Sequence, residues 1–154
     1  MAQKQPFGII DVILIVIILA LTSVLWYVIW SPGQQLAYQE NMKWESRARM
    51  SALRTAQIEY FNATQHYSSD VDSLIMFVRD SLPQPRIDSI FVRLYIGPFH
   101  FDSLQHSPMT LLPYQIIVDD TSTVPRYQIT DPDGFGYISS LTNPDEHNKA
   151  SWEQ

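Results

Sequence analysis

The chain has 154 residues, with 16 Asp and Glu against 10 Lys and Arg, a net charge of −6, a pI near 5.0 and no cysteine. The acidic balance excludes a phosphate-binding surface, which needs clustered Lys and Arg, so no nucleic-acid partner is expected. Lack of cysteine excludes disulfides, thiolate metal sites and cysteine nucleophiles, and the length leaves room for one small soluble domain beside a membrane anchor.

Residues 12–30 form an uncharged apolar run. As a helix such a run reaches roughly 28 Å at about 1.5 Å per residue, matching a bilayer core of about 30 Å. Lipid offers the backbone no hydrogen-bond partners, so helix is the expected form. Trp26, Tyr27 and Trp30 at its end fit an interfacial aromatic belt. The run is longer than the core of a secretory signal and no small-x-small cleavage site follows, which predicts a retained anchor. Lys4 and the amino terminus precede it, whereas residues 31–42 contain no Lys or Arg. Positive charge favours the cytoplasmic side, so the chain is expected to cross the membrane once, with the amino terminus inside and the soluble domain outside.

Beyond the run, Pro32-Gly33 predicts a break or kink. A second helical pattern covers residues 35–62, with Met50, Leu53, Ala56 and Tyr60 spaced three and four apart on a face expected to be core, and Arg47, Arg54 and Glu59 elsewhere. Ser69-Asp70-Val71-Asp72 fits a Ser-x-x-acid start for a short helix over residues 71–80, ended by Leu82-Pro83. From Ile87 the pattern alternates: Ile87, Ser89, Phe91 and Arg93 on one face, Ile90, Val92, Leu94 and Ile96 on the other. Residues 114–118 and 127–130 flank the polar Asp119-Asp120-Thr121-Ser122-Thr123 as a hairpin, and residues 136–139 suit a third short strand. The order predicts an α+β fold: an N-terminal transmembrane helix continuing after a break into a long amphipathic helix packed on a small antiparallel sheet. The expected division is a leader over 1–6, the membrane helix over 7–31, the soluble domain over 32–141 and a polar tail over 142–154.

Two stretches carry a resemblance. Phe7-Gly8-Ile9-Ile10-Asp11 follows a short Lys-bearing leader and runs straight into the apolar helix, and Leu53, Ala56, Tyr60 and Tyr67 mark the end of the long helix and the turn after it. This resembles type IV pilins and type II secretion pseudopilins, whose amino terminus carries Phe-Thr-Leu-Ile-Glu. The resemblance implies a pilin-like fold and a structural role in a bacterial inner membrane with the domain periplasmic, and Phe7, Gly8, Asp11, Trp26 and Trp30 as interaction residues. Two positions depart from the pattern. Pro6 stands where pilin precursors carry the Gly at which a peptidase cuts, so the leader is expected to remain; Asp11 stands where the family has Glu. Asp11 has two readings: a helix-start acid favoured by the macrodipole by about 0.3 to 1 kcal/mol, or a pairing site for a neighbouring subunit. Gly8 would let a neighbouring helix approach closely.

No catalytic constellation is present: the chain lacks Gly-x-Ser-x-Gly, a phosphate loop, Gly-x-Gly-x-x-Gly and His-Glu-x-x-His. His66, His100, His106 and His147 fall in expected loops or strand ends and read as surface or turn residues. Asp131-Pro132-Asp133-Gly134, with Asp119 and Asp120 nearby across the hairpin, is oxygen-rich as Ca²⁺ loops are. The same string is an ordinary turn and the distal Glu of a Ca²⁺ loop is missing, so Asp131 and Asp133 are weak metal candidates only. The expectation is a non-enzymatic, single-pass accessory subunit without cofactor or metal, whose partners are membrane lipid and other membrane subunits or copies of itself. The alternatives are a filament-forming pilin or pseudopilin, and a binding module or enzyme tethered at the membrane.

Overall fold

The computed structural model describes residues 8–91 and 100–153, the side chains at 30–32 and 90 excepted. The first element, α1, is one helix of 56 residues, Ile9–Thr64. The break expected at Pro32-Gly33 does not occur. Pro in a helix interior costs about 3 kcal/mol and Gly about 1 relative to Ala, but helix flanks the pair on both sides, and extending an existing helix needs no new nucleus. The chain divides between Gln39 and Glu40 into two compact units.

In the first unit the apolar side chains of α1 are exposed throughout, from Ile9 to Ile29. The polar groups among them bond within the helix: Thr22 Oγ1 donates to the Ile18 carbonyl at 2.7 Å and Ser23 Oγ to that of Leu19 at 2.8 Å. One helix is thus long and apolar enough to cross a membrane.

In the second unit α1 buries Met50, Leu53 and Ala56, with Tyr60 packed half-buried beside them, the face that their spacing predicts. The next helix, α2, spans Val71–Ser81 and turns Leu74, Ile75 and Val78 inward. Its cap is Asp70 rather than Ser69: Asp70 Oδ2 accepts from Ser73 N at 2.9 Å and Ser73 Oγ at 2.7 Å. These bonds hold the Asp70 carboxyl below its ordinary pKa.

The third helix, α3, covers Gln84–Ile90, where alternation predicts the start of a strand. Pro85 in its first turn presets a helical φ, and Ile87 and Phe91, four residues apart, both turn into the core. The i, i+4 pair satisfies a helix as well as it satisfies alternation. The rest of that expected strand, residues 92–99, lies outside the described residues.

After a 3-10 turn, Phe101–Leu104, comes the sheet: β1, Gln115–Asp119; β2, Arg126–Thr130; and β3, Tyr137–Ile138, antiparallel in the order β1-β2-β3. Gln115 faces Thr130, Asp119 faces Arg126, and Ile129 faces Ile138. The hairpin turn is drawn in by Asp119, whose carboxylate accepts from Ser122 Oγ and Thr121 Oγ1, each at 2.6 Å, and from Thr121 N at 2.9 Å. Those donors pull its pKa down to about 2. Tyr127, Ile129 and Ile138 join the α1 and α2 residues in one core. Residues 142–153 then return along β3: Ile138 bridges to Ala150, Ser139 N donates to Lys149 O at 2.8 Å, and Ser151 N to Tyr137 O at 2.9 Å.

Candidate functional site

Two groups of sequence-flagged residues are candidate sites, and the chain folds them for different ends. At the helix start, Gly8 directly precedes α1, and its amide donates to Asp11 Oδ2 at 2.9 Å while its carbonyl accepts from Asp11 N at 3.0 Å. This reciprocal arrangement is the logic of a capping box, in which an acid three residues in reaches back to the otherwise orphaned amide. Asp11 is therefore engaged by its own chain at the positive end of the helix dipole. Trp26 lies on the same helix and is 67% exposed. Trp30 is also within α1; Phe7 lies outside the described residues.

The aspartates at 131 and 133 are brought together, with their oxygens turned to hydroxyl and amide donors. Asp131, 3% exposed, accepts from the Ser46 hydroxyl and from Asp133 N. Asp133 accepts from Ser107 Oγ and, at 2.6 Å, from Thr110 Oγ1. Asp119 serves its own turn. Among the described residues no three His, Asp or Glu side chains gather as a cation would require.

Ser46 ties this cluster to α1. Its hydroxyl lies 2.9 Å from Tyr114 Oη as well as against Asp131, and burial raises the Tyr114 pKa well above its ordinary value. Beside it Glu45, 1% exposed, accepts from Arg49 Nε at 2.8 Å, and Arg49 Nη1 reaches the His106 carbonyl at 2.8 Å. The seam fastens α1 to the loops around the sheet.

A second fastening is Gln57, also fully buried, whose Oε1 accepts from Ser68 N at 3.0 Å while its Nε2 donates to Ser68 O. Its amide thus satisfies both backbone groups of the turn residue. A shallow groove of about 210 Å³ runs between the start of α2 and residues 105–114, past Asp70, Asp72, Gln105, His106 and Tyr114. Asp70 bonds Ser73, and Asp72 Oδ1 accepts from Gln105 Nε2 at 2.7 Å.

Sequence patterns missed Glu45, Ser46 and Gln57, polar residues on the buried face of α1; the partners of Ser46 stand 68 and 85 positions away. His147 lies in a turn, as expected, and is only partly exposed; its imidazole packs against Tyr67 and Tyr127, with Nδ1 buried and unbonded. No family model, curated protein or solved structure matches this chain.

Proposed function

We propose that the chain is a non-enzymatic, single-pass membrane protein of pilin-like build, an accessory structural subunit of a multisubunit membrane assembly with its α+β domain outside the cytoplasm. One observation carries the reading: the uncharged run 12–30 lies within a single helix and its apolar side chains from Val12 to Ile29 are exposed. Water penalises such a surface by about 25 cal/mol for every Å² of apolar area, whereas lipid accepts it. The back-bonded hydroxyls of Thr22 and Ser23 support it too, because a donor in hydrocarbon must find its acceptor inside the helix.

Pilin-like character rests on Phe7 to Asp11 and on the order of long helix followed by antiparallel sheet. The Gly8–Asp11 bond favours an accessory subunit over a filament subunit, since the carboxylate has a donor in its own chain and Pro6 opposes the cut that would create a free amine at Phe7.

Single cysteines introduced into this cysteine-free chain give the topology. A cysteine at Lys4 should be shielded from an impermeant thiol reagent in intact cells and one at Lys149 labelled. Carbonate-resistant membrane association and an intact mass retaining residues 2–6 are the accompanying expectations. A mature protein beginning at methylated Phe7 makes the filament reading the better one, and one beginning beyond residue 30 removes the anchor. Asp11→Ala should leave insertion intact and weaken co-purification of partners in mild detergent; unchanged stoichiometry would move the partner contacts to the domain.

A further inference from the structure

We propose that His147 is a pH-sensitive latch that holds residues 144–153 against the sheet while neutral and releases them on taking up a proton. The imidazole is packed against two aromatic rings, its centroid 6.2 Å from that of Tyr67 and 6.1 Å from that of Tyr127. Nε2 lies 3.3 Å from Tyr67 Oη, whereas Nδ1 is buried with no partner. A neutral ring suits this pocket: one nitrogen shares a proton with the tyrosine and the other is left as a bare acceptor. An imidazolium carries N–H on both nitrogens, so protonation would bury a charged donor with nothing to receive it, a costly state.

The surroundings add to the penalty. Arg126 on β2 repels a second positive charge, and with burial, the larger cause, it lowers the His147 pKa. Arg54 reaches in from α1 to the Asn148 carbonyl at 3.1 Å and to Glu153 Oε2 at 3.1 Å. On the segment itself lie Asp145, Glu146, Lys149 and Glu153; Glu146 is taken up by Asn143 Nδ2 at 2.9 Å and by Tyr137 Oη at 3.4 Å. Tyr67, Tyr127 and Tyr137 are the titratable hydroxyls in contact with the segment.

The bonds that release would break run to Arg54, Tyr127, Tyr137 and Ser139, and the segment carries backbone strain. Tyr127 Oη donates to Asn148 Oδ1 at 2.6 Å, and two backbone bonds join the segment to β3, Ser139 N to Lys149 O and Ser151 N to Tyr137 O. Asn148 and the Ser139 that faces the segment both sit in the left-handed region, at φ 60° and 63°. L-residues hold that conformation only while neighbours enforce it.

The direction in pH follows. Above the ordinary histidine value of 6.5 the ring is neutral whether docked or released. As pH falls below it, the released form binds the proton first, and docking weakens until the depressed docked value is reached. Glu153, whose pKa is lowered first by the Ala150 amide and then by Arg54, stays ionised through this window. The Arg54 bridge therefore does not confuse the readout.

The test is residue-resolved hydrogen exchange on the full chain in detergent, corrected for intrinsic rates, between about pH 7.5 and about pH 5. Protection at Ser139 and Ser151 should fall while the β1–β2 hairpin amides hold. His147→Phe, which keeps a ring between the tyrosines, should abolish the loss. An NMR titration of His147 in the unaltered protein is decisive even if that variant does not fold: a midpoint below 6.5 that coincides with the loss of protection supports the latch. Unchanged protection, an equal loss in the hairpin, or a midpoint at or above 6.5 overturns it.

Discussion

The Ser46 hydroxyl on α1 donates to the carboxylate of Asp131, 85 positions further along the chain. Both groups are buried, and Tyr114 Oη shares the serine oxygen at 2.9 Å. Removing that hydroxyl leaves a carboxylate and a phenol short of a partner where water cannot reach them. Ser46→Ala should cost about 1 to 3 kcal/mol, the penalty of an unsatisfied buried group, read as a shift in the urea midpoint of the detergent-solubilised protein. An unshifted midpoint would mean that the seam is not under load.

Leu53 is fully buried on the core face of α1. Truncating it opens a void in the buried core, so Leu53→Ala should cost about 2 to 5 kcal/mol, as large-to-small core changes do. Denaturation of the same preparation measures it, and a change under about 0.5 kcal/mol, the range of ordinary surface substitutions, would contradict the burial.

Two glycines should respond in opposite ways to alanine. At Gly136, φ is +137° and an added Cβ would lie 2.7 Å from Ser151 Oγ and 2.8 Å from the Trp152 ring. At Gly8 the nearest atom is Asp11 Oδ2, 3.8 Å away. Gly136→Ala combines backbone strain with overpacking, each about 1 to 3 kcal/mol, and should lower the melting temperature sharply. Gly8→Ala should leave it unchanged.

Alkaline pH should destabilise the domain. Burial raises the pKa of Tyr114 and Tyr127 well above the free value of 10.0. Both are neutral in either state below that value; above it the unfolded chain loses the protons first, and stability is lost progressively as pH rises. The urea midpoint should fall between about pH 9 and about pH 11, and Tyr127→Phe should flatten that slope at the cost of the bond to Asn148.

What could be read from the chain was whatever local periodicity governs. Met50, Leu53 and Ala56 fix the phase of α1, and alternation in 114–130 with a polar turn between fixes the hairpin. The pattern failed where two periods agree: Ile87 and Phe91 suit a strand and a helix alike, and Pro85 tips the balance to α3. It failed again at Pro32-Gly33, where helix on both sides outweighs two poor helix formers. The site was harder still. Asp131 and Asp133 attracted notice as oxygen-rich loop residues, yet their use is decided by Ser46, Ser107 and Thr110, which no local window joins to them. His147 sits in a polar turn, and the rings that pack against it, Tyr67 and Tyr127, come from distant parts of the chain.

The bridge from Arg54 to Glu153 bears on the order in which the protein is made. The Gln57–Ser68 clamp closes a loop of 11 positions and the Arg54–Glu153 bridge one of 99, a difference of about 2 kcal/mol in closure entropy. Arg47 likewise waits for Trp152, whose ring it faces at 4.9 Å. A ribosome therefore releases α1 and α2 with some partners at hand, while Arg54 meets Glu153, and Arg47 the Trp152 ring, only once residues 152 and 153 have emerged. A nascent chain stalled short of Trp152 would carry its helices and hairpin without these two contacts, so the domain is sealed only after residues 152 and 153 are made.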